Sequence, residues 1–203
     1  MLFRSLNRRR DDFECEGGEV RSQKGVFRTH TIHDKRVLAA PLSEAQAEAR
    51  LEAYYDPYYT AVKRHAGRLQ ERFTNVVIVD GHTGSPRRLE GHAIVLGTGR
   101  GKYCDPELAA LAAEVLESHG FDCTLDLSGY RGGAVVRHFG TSRSPRQAIQ
   151  VEVNAGLIMR CSRRAYAESL QQGLPPAYDR EVLAELRAAM TELLRAIGQY
   201  VQA

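Results

Sequence analysis

The 203-residue sequence has no CxxC pair, no apolar run of bilayer length and almost no excess of either charge. Its cysteines (Cys15, Cys104, Cys123 and Cys161) are far apart, which argues against a zinc finger. Scattered thiols fit a reducing compartment, so a cytoplasmic location is expected. No apolar leader core lies near the start, and nothing approaches the length of a membrane span; no membrane role is expected. The 28 basic residues meet 25 acidic ones, for a net charge of +3. A nucleic-acid binder would gather its basic residues on one face. Here the densest basic run, Arg8-Arg9-Arg10, is followed at once by Asp11 and Asp12, so no nucleic-acid partner is expected. Internal repeats and low-complexity segments are absent as well.

What remains is ordinary globular composition, 43% hydrophobic and 26% charged. The length suits one domain with a sizeable core. Residues 9–40 are polar and irregular, with Gly17-Gly18 and Gly25, and read as a long loop with one short strand. Ser43 and Gln46 form a capping-box pattern, opening a helix to about Tyr55. Pro57 then either kinks that helix or opens a second one, with Tyr58, Val62 and Leu69 facing inward. Val76-Val77-Ile78-Val79-Asp80 is a continuous β-branched run, the pattern of a strand buried on both faces. Asp105-Pro106-Glu107 is a helix start, and that helix should stop at Gly120. Phe121–Leu127 and Gln147–Asn154 read as strands. Asp179 caps a last helix whose stripe runs Leu183, Leu186, Met190, Leu193, Leu194, Ile197 and Val201. Strands alternating with helices predict an α/β fold: a three-layer α/β/α sandwich around a mostly parallel or mixed sheet.

Several places could carry chemistry. Asp80-Gly81-His82-Thr83-Gly84 follows the central strand, where ligands bind in open α/β sheets. An imidazole there suits zinc, with a carboxylate to fix its tautomer. The alternative is a loop histidine satisfied by a backbone carbonyl. In the strand Gln147–Asn154, Gln150, Glu152 and Asn154 share one face. Polar groups on a core strand are costly without partners. A carboxylate at Glu152 could act as a general base, and burial would raise its pKa; the alternative is a wet edge strand. Gly129-Tyr130-Arg131-Gly132-Gly133 is followed by Arg137. Paired glycines admit a ligand closely, and guanidinium groups match carboxylates; solvated surface arginines are the alternative. His30-Thr31-Ile32-His33 has HxxH spacing but nothing beside it to suggest a third ligand. Gly97-Thr98-Gly99-Arg100-Gly101 lacks the Gly-Lys-Ser/Thr ending of a phosphate loop.

In order and spacing these pieces resemble the N-formylglutamate amidohydrolases. Asp80-Gly81-His82-Thr83 looks like the family's Asp-x-His-Ser motif, and Leu96–Cys104 like its Leu-Gly-Thr/Asp segment. Gly129–Gly133 with Arg137-His138-Phe139-Gly140 resembles its Lys/Arg-Gly-Gly and Arg-x-Tyr-Gly segments. Gln150-Val151-Glu152 resembles its Gln-Leu-Glu strand, and Leu6-Asn7-Arg8 the end of its Asp-Leu-Asn-Arg motif. The likeness runs from about Leu6 to Met159. It implies a fold similar to zinc carboxypeptidases and aspartoacylases, and hydrolysis of N-formylglutamate or a similar small anionic N-acyl amino acid. By the same resemblance His82 would ligate zinc and Glu152 would be the general base. Asn7, Arg8, Arg131 and Arg137 would hold the substrate.

The sequence departs from the family pattern in three ways. Thr83 stands where serine is common, and Phe139 where tyrosine is common. The resemblance also implies an earlier strand and a Pro-His-Ser-Gly motif carrying a metal ligand. The chain has neither, so residues 1–203 are expected to be a single amidohydrolase domain truncated at its N-terminus. A zinc site needs at least three protein ligands, and only His82 follows from the family motif. Two other readings therefore stand beside the first. One is a non-catalytic domain that binds a small dicarboxylate; the other is a related amidase acting on another N-acyl amino acid or a peptidoglycan-derived amide.

Overall fold

The computed structural model describes residues 6–31, 34–142, 145–159, 162–174 and 178–202. After the N-terminal segment come two short strands, β1 (Glu14–Glu16) and β2 (Glu19–Arg21), paired antiparallel. Gly17 and Gly18 form their turn with φ of 59° and 80°, the pair of left-handed conformations a two-residue hairpin needs. The region read as a loop with one strand thus holds a hairpin.

Helix α1 (Glu44–Arg50) starts on the expected capping box, with both Ser43–Gln46 hydrogen bonds formed. A π turn, Leu51–Tyr55, joins it to α2 (Asp56–Gln70). Pro57 lacks an N–H and stands in the first turn of α2, where that donor is not needed. Tyr59 and Ala66 take the innermost face of α2, with Tyr58 and Val62 half-buried, whereas Leu69 is exposed.

Strand β3 (Val76–Gly84) is followed by β4 (Ile94–Gly97), α3 (Pro106–Ser118) and β5 (Cys123–Leu125). Asp105 caps α3 through the Glu107 amide, and Gly120 takes φ 82° beyond its end. Next come α4 (Ala134–Phe139), β6 (Arg146–Asn154), α5 (Ala155–Ile158), α6 (Arg163–Gln171) and α7 (Arg180–Tyr200). The main sheet runs β3-β6-β4-β5. β3 pairs parallel with β6, β4 parallel with β5, and β4 antiparallel with β6. The sheet is therefore mixed, as expected.

The strand expected to be buried on both faces is not. The β-branched strand β3 lies at the end of the strand order and is mostly half-buried. Strand β6, with its polar face, is interior and buried from Gln147 to Asn154. A wet edge strand is thereby excluded for β6. Strand β3 also runs on through Gly84, so His82 lies within the strand rather than beyond it.

One sheet face carries Ile94, Leu96, Ile149 and Val151, packed against Leu108, Ala112 and Leu116 of α3 and Leu193 and Ile197 of α7. Each fully buried Leu or Ile contributes roughly 1.5–3 kcal/mol of transfer free energy. On α7 the exposed Leu194 falls off the stripe, and Ala189 is buried instead. The layer over the other face is a second cluster: Phe27, Leu42 and Leu51, then Tyr55 and Tyr59 of the helical arm, and Val135 and Phe139 of α4. Helices thus cover both faces. Between the second cluster and the sheet ends, the polar side chains of β3 and β6 come together.

Candidate functional site

In the β3–β6 register Asp80 pairs with Gln150 and His82 with Glu152. Residues two apart on a strand share a face, so these four side chains meet on one surface. Gln150 Nε2 donates to Glu152 Oε1 at 3.1 Å. Glu152 and Gln150 are both buried. Burial pushes the Glu152 carboxyl above the usual carboxylate range, with the neighbouring His82 opposing and Asp80 reinforcing the shift.

His82 Nε2 lies 3.0 Å from Asp80 Oδ1 and 2.8 Å from Asn7 Nδ2. The Asn7 amide is oriented by its other end, because Asn7 Oδ1 accepts from the Val135 N–H at 3.0 Å. One imidazole nitrogen cannot donate to Asp80 and accept from Asn7 at the same time. Whether Nε2 carries a proton, as one neutral tautomer or as the imidazolium, decides which bond forms. The Asp80 bond, ahead of other causes, raises the His82 pKa, and burial opposes it. Asp80 Oδ2 is buried without a hydrogen-bond partner among the described residues.

The N-terminal segment is strapped over this surface. Tyr55 and Tyr59 donate from their hydroxyls to the Arg8 and Leu6 carbonyls at 2.6 and 2.9 Å. Arg10 forms a fork with Asp56 at 2.9 and 3.0 Å and also pairs with Glu48. Arg10 is thus a structural clamp, and Arg9 pairs with the exposed Asp11. Among the described residues the Arg8 guanidinium has one carboxylate contact, a long one of 3.9 Å to Asp12, and it faces a cavity.

That cavity has a volume of about 510 Å³, within the usual range for small-molecule sites. Asn7, Arg8, His82, Arg137 and Glu152 line it together. Five of the six expected site residues therefore converge. Arg131 does not line this cavity; its Nε donates to the Asp126 carbonyl at 3.2 Å, and it borders a smaller neighbouring one. Arg88, Ser85, Tyr130 and Gln150 line the main cavity too. For Gln150 the signal was visible, since it shares the Glu152 face. Arg88 sits in a turn after β3, and no motif pointed to it.

Gly97 explains how the 129–133 turn comes so close. A Cβ there would lie 2.5 Å from the Gly132 nitrogen and 2.8 Å from the Tyr130 carbonyl oxygen. Gly133 plays a similar part beside Asn7, where a Cβ would meet the amide at 1.9 Å.

Zinc needs at least three protein ligands. Among the described residues no three His, Cys, Asp or Glu side chains form a metal-holding group. Among the described residues His82 is the one imidazole lining the cavity, and its Nε2 already faces Asn7 and Asp80. The described residues alone do not fit a three-ligand zinc site. Of the HxxH pair, His30 lies close to Thr29 Oγ1 at 3.0 Å, and His33 lies outside the described residues. No helix among the described residues is long and apolar enough to cross a membrane.

Three comparisons bear on the site. The sequence model of the N-formylglutamate amidohydrolase family matches residues 3–159. An N-formylglutamate deformylase of Pseudomonas aeruginosa is 27% identical over 176 residues, covering 82% of this chain and 62% of that protein. One of Pseudomonas putida is 25% identical over 200 residues, covering 95% of this chain and 69% of that one. The crystal structure of N-formylglutamate amidohydrolase from Ralstonia eutropha JMP134 superposes with a TM-score of 0.78 at 21% identity, covering 97% of this chain and 73% of that one. At that identity the likeness speaks for the fold.

Proposed function

Since the chain belongs to the N-formylglutamate amidohydrolase family, we propose that its cavity takes N-formylglutamate, or a similar N-acyl amino acid, and hydrolyses the amide bond. The observation that carries this reading is Glu152: a buried carboxyl held above its usual range, opening onto a cavity that Arg8, Arg88 and Arg137 also line. Guanidinium groups fork onto carboxylates, and the substrate has two. Held that way, the amide is positioned against the polar end of β6, which supplies the proximity part of the acceleration. Glu152 takes a proton from the attacking water and returns it to the departing amine, giving formate and glutamate. Gln150, bonded to Glu152 Oε1, keeps the carboxyl oriented. Zinc at His82 would add Lewis-acid polarisation of the carbonyl; the donors described do not complete its site, and no step above depends on it.

The test is formate release from N-formylglutamate by the purified chain and by Glu152→Gln, with metal analysis of both. We expect the variant to lose about 10²–10⁴-fold in kcat, the usual share of a general base. Equal turnover by the two proteins would overturn the assignment of Glu152.

The incomplete donor group favours one second reading, a domain that binds the dicarboxylate without turnover. Calorimetric binding of N-formylglutamate with no formate released, at any added zinc concentration, is its signature.

A further inference from the structure

A second, smaller cavity of about 290 Å³ adjoins the first, and Arg137 lines both. Its other cationic side chains are Arg100, Lys102 and Arg131. Among the described residues none of these four side chains has a carboxylate partner, whereas Arg9, Arg10, Arg21 and Arg164 do. The charge is therefore concentrated rather than neutralised. Like charges lining one concave surface repel each other, and the same arrangement focuses a positive potential that draws anions in.

The turn that carries two of these cations is fixed. Asp126 Oδ1 accepts from the Thr98 and Gly99 amides at 2.8 and 3.0 Å, and Oδ2 from the Arg100 amide and the Thr98 hydroxyl at 2.9 and 2.5 Å. The Asp126 carboxylate is thus engaged by the backbone amides and the Thr98 hydroxyl of this turn. Gly99, Arg100 and Gly101 have φ of 66°, 61° and 75° in succession. Glycine takes that conformation freely, but arginine does so at a cost. The backbone is held in place by Asp126 while the Arg100 side chain stays exposed. Arg137 Nε is bonded to the Gly132 carbonyl at 3.3 Å, which orients the rest of its guanidinium group between the two cavities.

We propose that Arg100, Lys102, Arg131 and Arg137 form a second anion subsite, one that takes a carboxylate or phosphate group. On the amidohydrolase reading, from which this inference proceeds, the subsite widens the substrate class to N-acyl amino acids whose acyl chain ends in an anionic group. The ligand's amino-acid carboxylates stay in the main cavity, and the anionic end of the acyl arm passes Arg137.

The experiment compares N-glutarylglutamate with N-pentanoylglutamate, which differ by a terminal carboxylate at similar length. Both are titrated calorimetrically into the wild-type chain and into Arg100→Gly/Lys102→Ser, with inorganic phosphate as a third titrant. Glycine suits the left-handed position, so the variant keeps its turn, and circular dichroism checks the fold. We expect the glutaryl compound to bind about tenfold more tightly than its uncharged counterpart in the wild type, a typical gain for one charge-assisted hydrogen bond. In the variant the preference should collapse to less than about twofold, with pentanoyl affinity unchanged. Phosphate that competes with the glutaryl compound alone also supports the subsite, and shows that a free anion can use it. A wild type without preference, or a variant that keeps it, overturns the proposal. If neither acyl compound binds but phosphate binds and is lost in the variant, the subsite stands and the amidohydrolase reading falls. If phosphate fails as well, both fall.

Discussion

Adding one methyl group at Gly133 should disconnect Asn7 from His82. The backbone there, at φ −79° and ψ −166°, is open to any residue, so Gly133→Ala brings no conformational strain. The new Cβ would stand 1.9 Å from Asn7 Nδ2 and 2.0 Å from Oδ1, so the amide must swing away. Two hydrogen bonds go with it, one to the Val135 amide and one to His82. Each is worth about 0.5–1.5 kcal/mol. The lower entropy of an unfolded chain with alanine returns about 0.4–1 kcal/mol. The net loss is about 0–2.6 kcal/mol, centred near 1.3, or a fall in Tm of up to roughly 10 °C for a chain of this size. His82 should respond as well. The Asn7 N–H favours the neutral imidazole, and without it the Asp80 bond acts alone. The His82 titration should therefore move further upward, read by NMR of the ring. Asn7→Ala should reproduce both effects, and the double variant should be little worse than either single one. Additive losses, or an unmoved His82 titration in Gly133→Ala, would refute the reasoning.

Further outcomes follow from the same geometry. Glu152 is raised from an ordinary value near 4.5 by burial, so the native state binds a proton there more tightly than the unfolded chain. Stability from this group is full below that value and is lost as pH rises through the higher native one. Melting curves should accordingly show Glu152→Gln gaining on the wild type as pH climbs above 4.5. Formate release should rise over the same window, because the base works only when deprotonated; an acidic limb at the ordinary carboxylate value would contradict the burial argument. Gly97→Ala should cost about 1–3 kcal/mol by urea denaturation, since the Cβ meets backbone atoms of the 129–133 turn at 2.5 and 2.8 Å, which cannot yield as a side chain can.

Much of this molecule is local and so was open to reading from the sequence. The Ser43 box, the Asp105 and Asp179 caps and the stop at Gly120 all rest on hydrogen bonds or backbone preferences within a few residues. The alternation in β6 set Gln150 and Glu152 on one face, because side chains in a strand alternate. The family motifs carried Asn7, Arg8, His82 and Arg137 to the same cavity.

Three things needed the tertiary structure. Strand order is a long-range property, so a β-branched run could not reveal that β3 stands at the end of the sheet and β6 inside it. The Asn7–His82 contact spans 75 residues and depends on Tyr55 and Tyr59 strapping the N-terminal segment down. The division of the arginines is likewise spatial. Arg10 serves the fold and Arg8 the main cavity, while Arg131 turns away to join Arg100 and Lys102. A single guanidinium reads the same in any of these roles; only the carboxylates and carbonyls brought beside it by folding decide which one it plays.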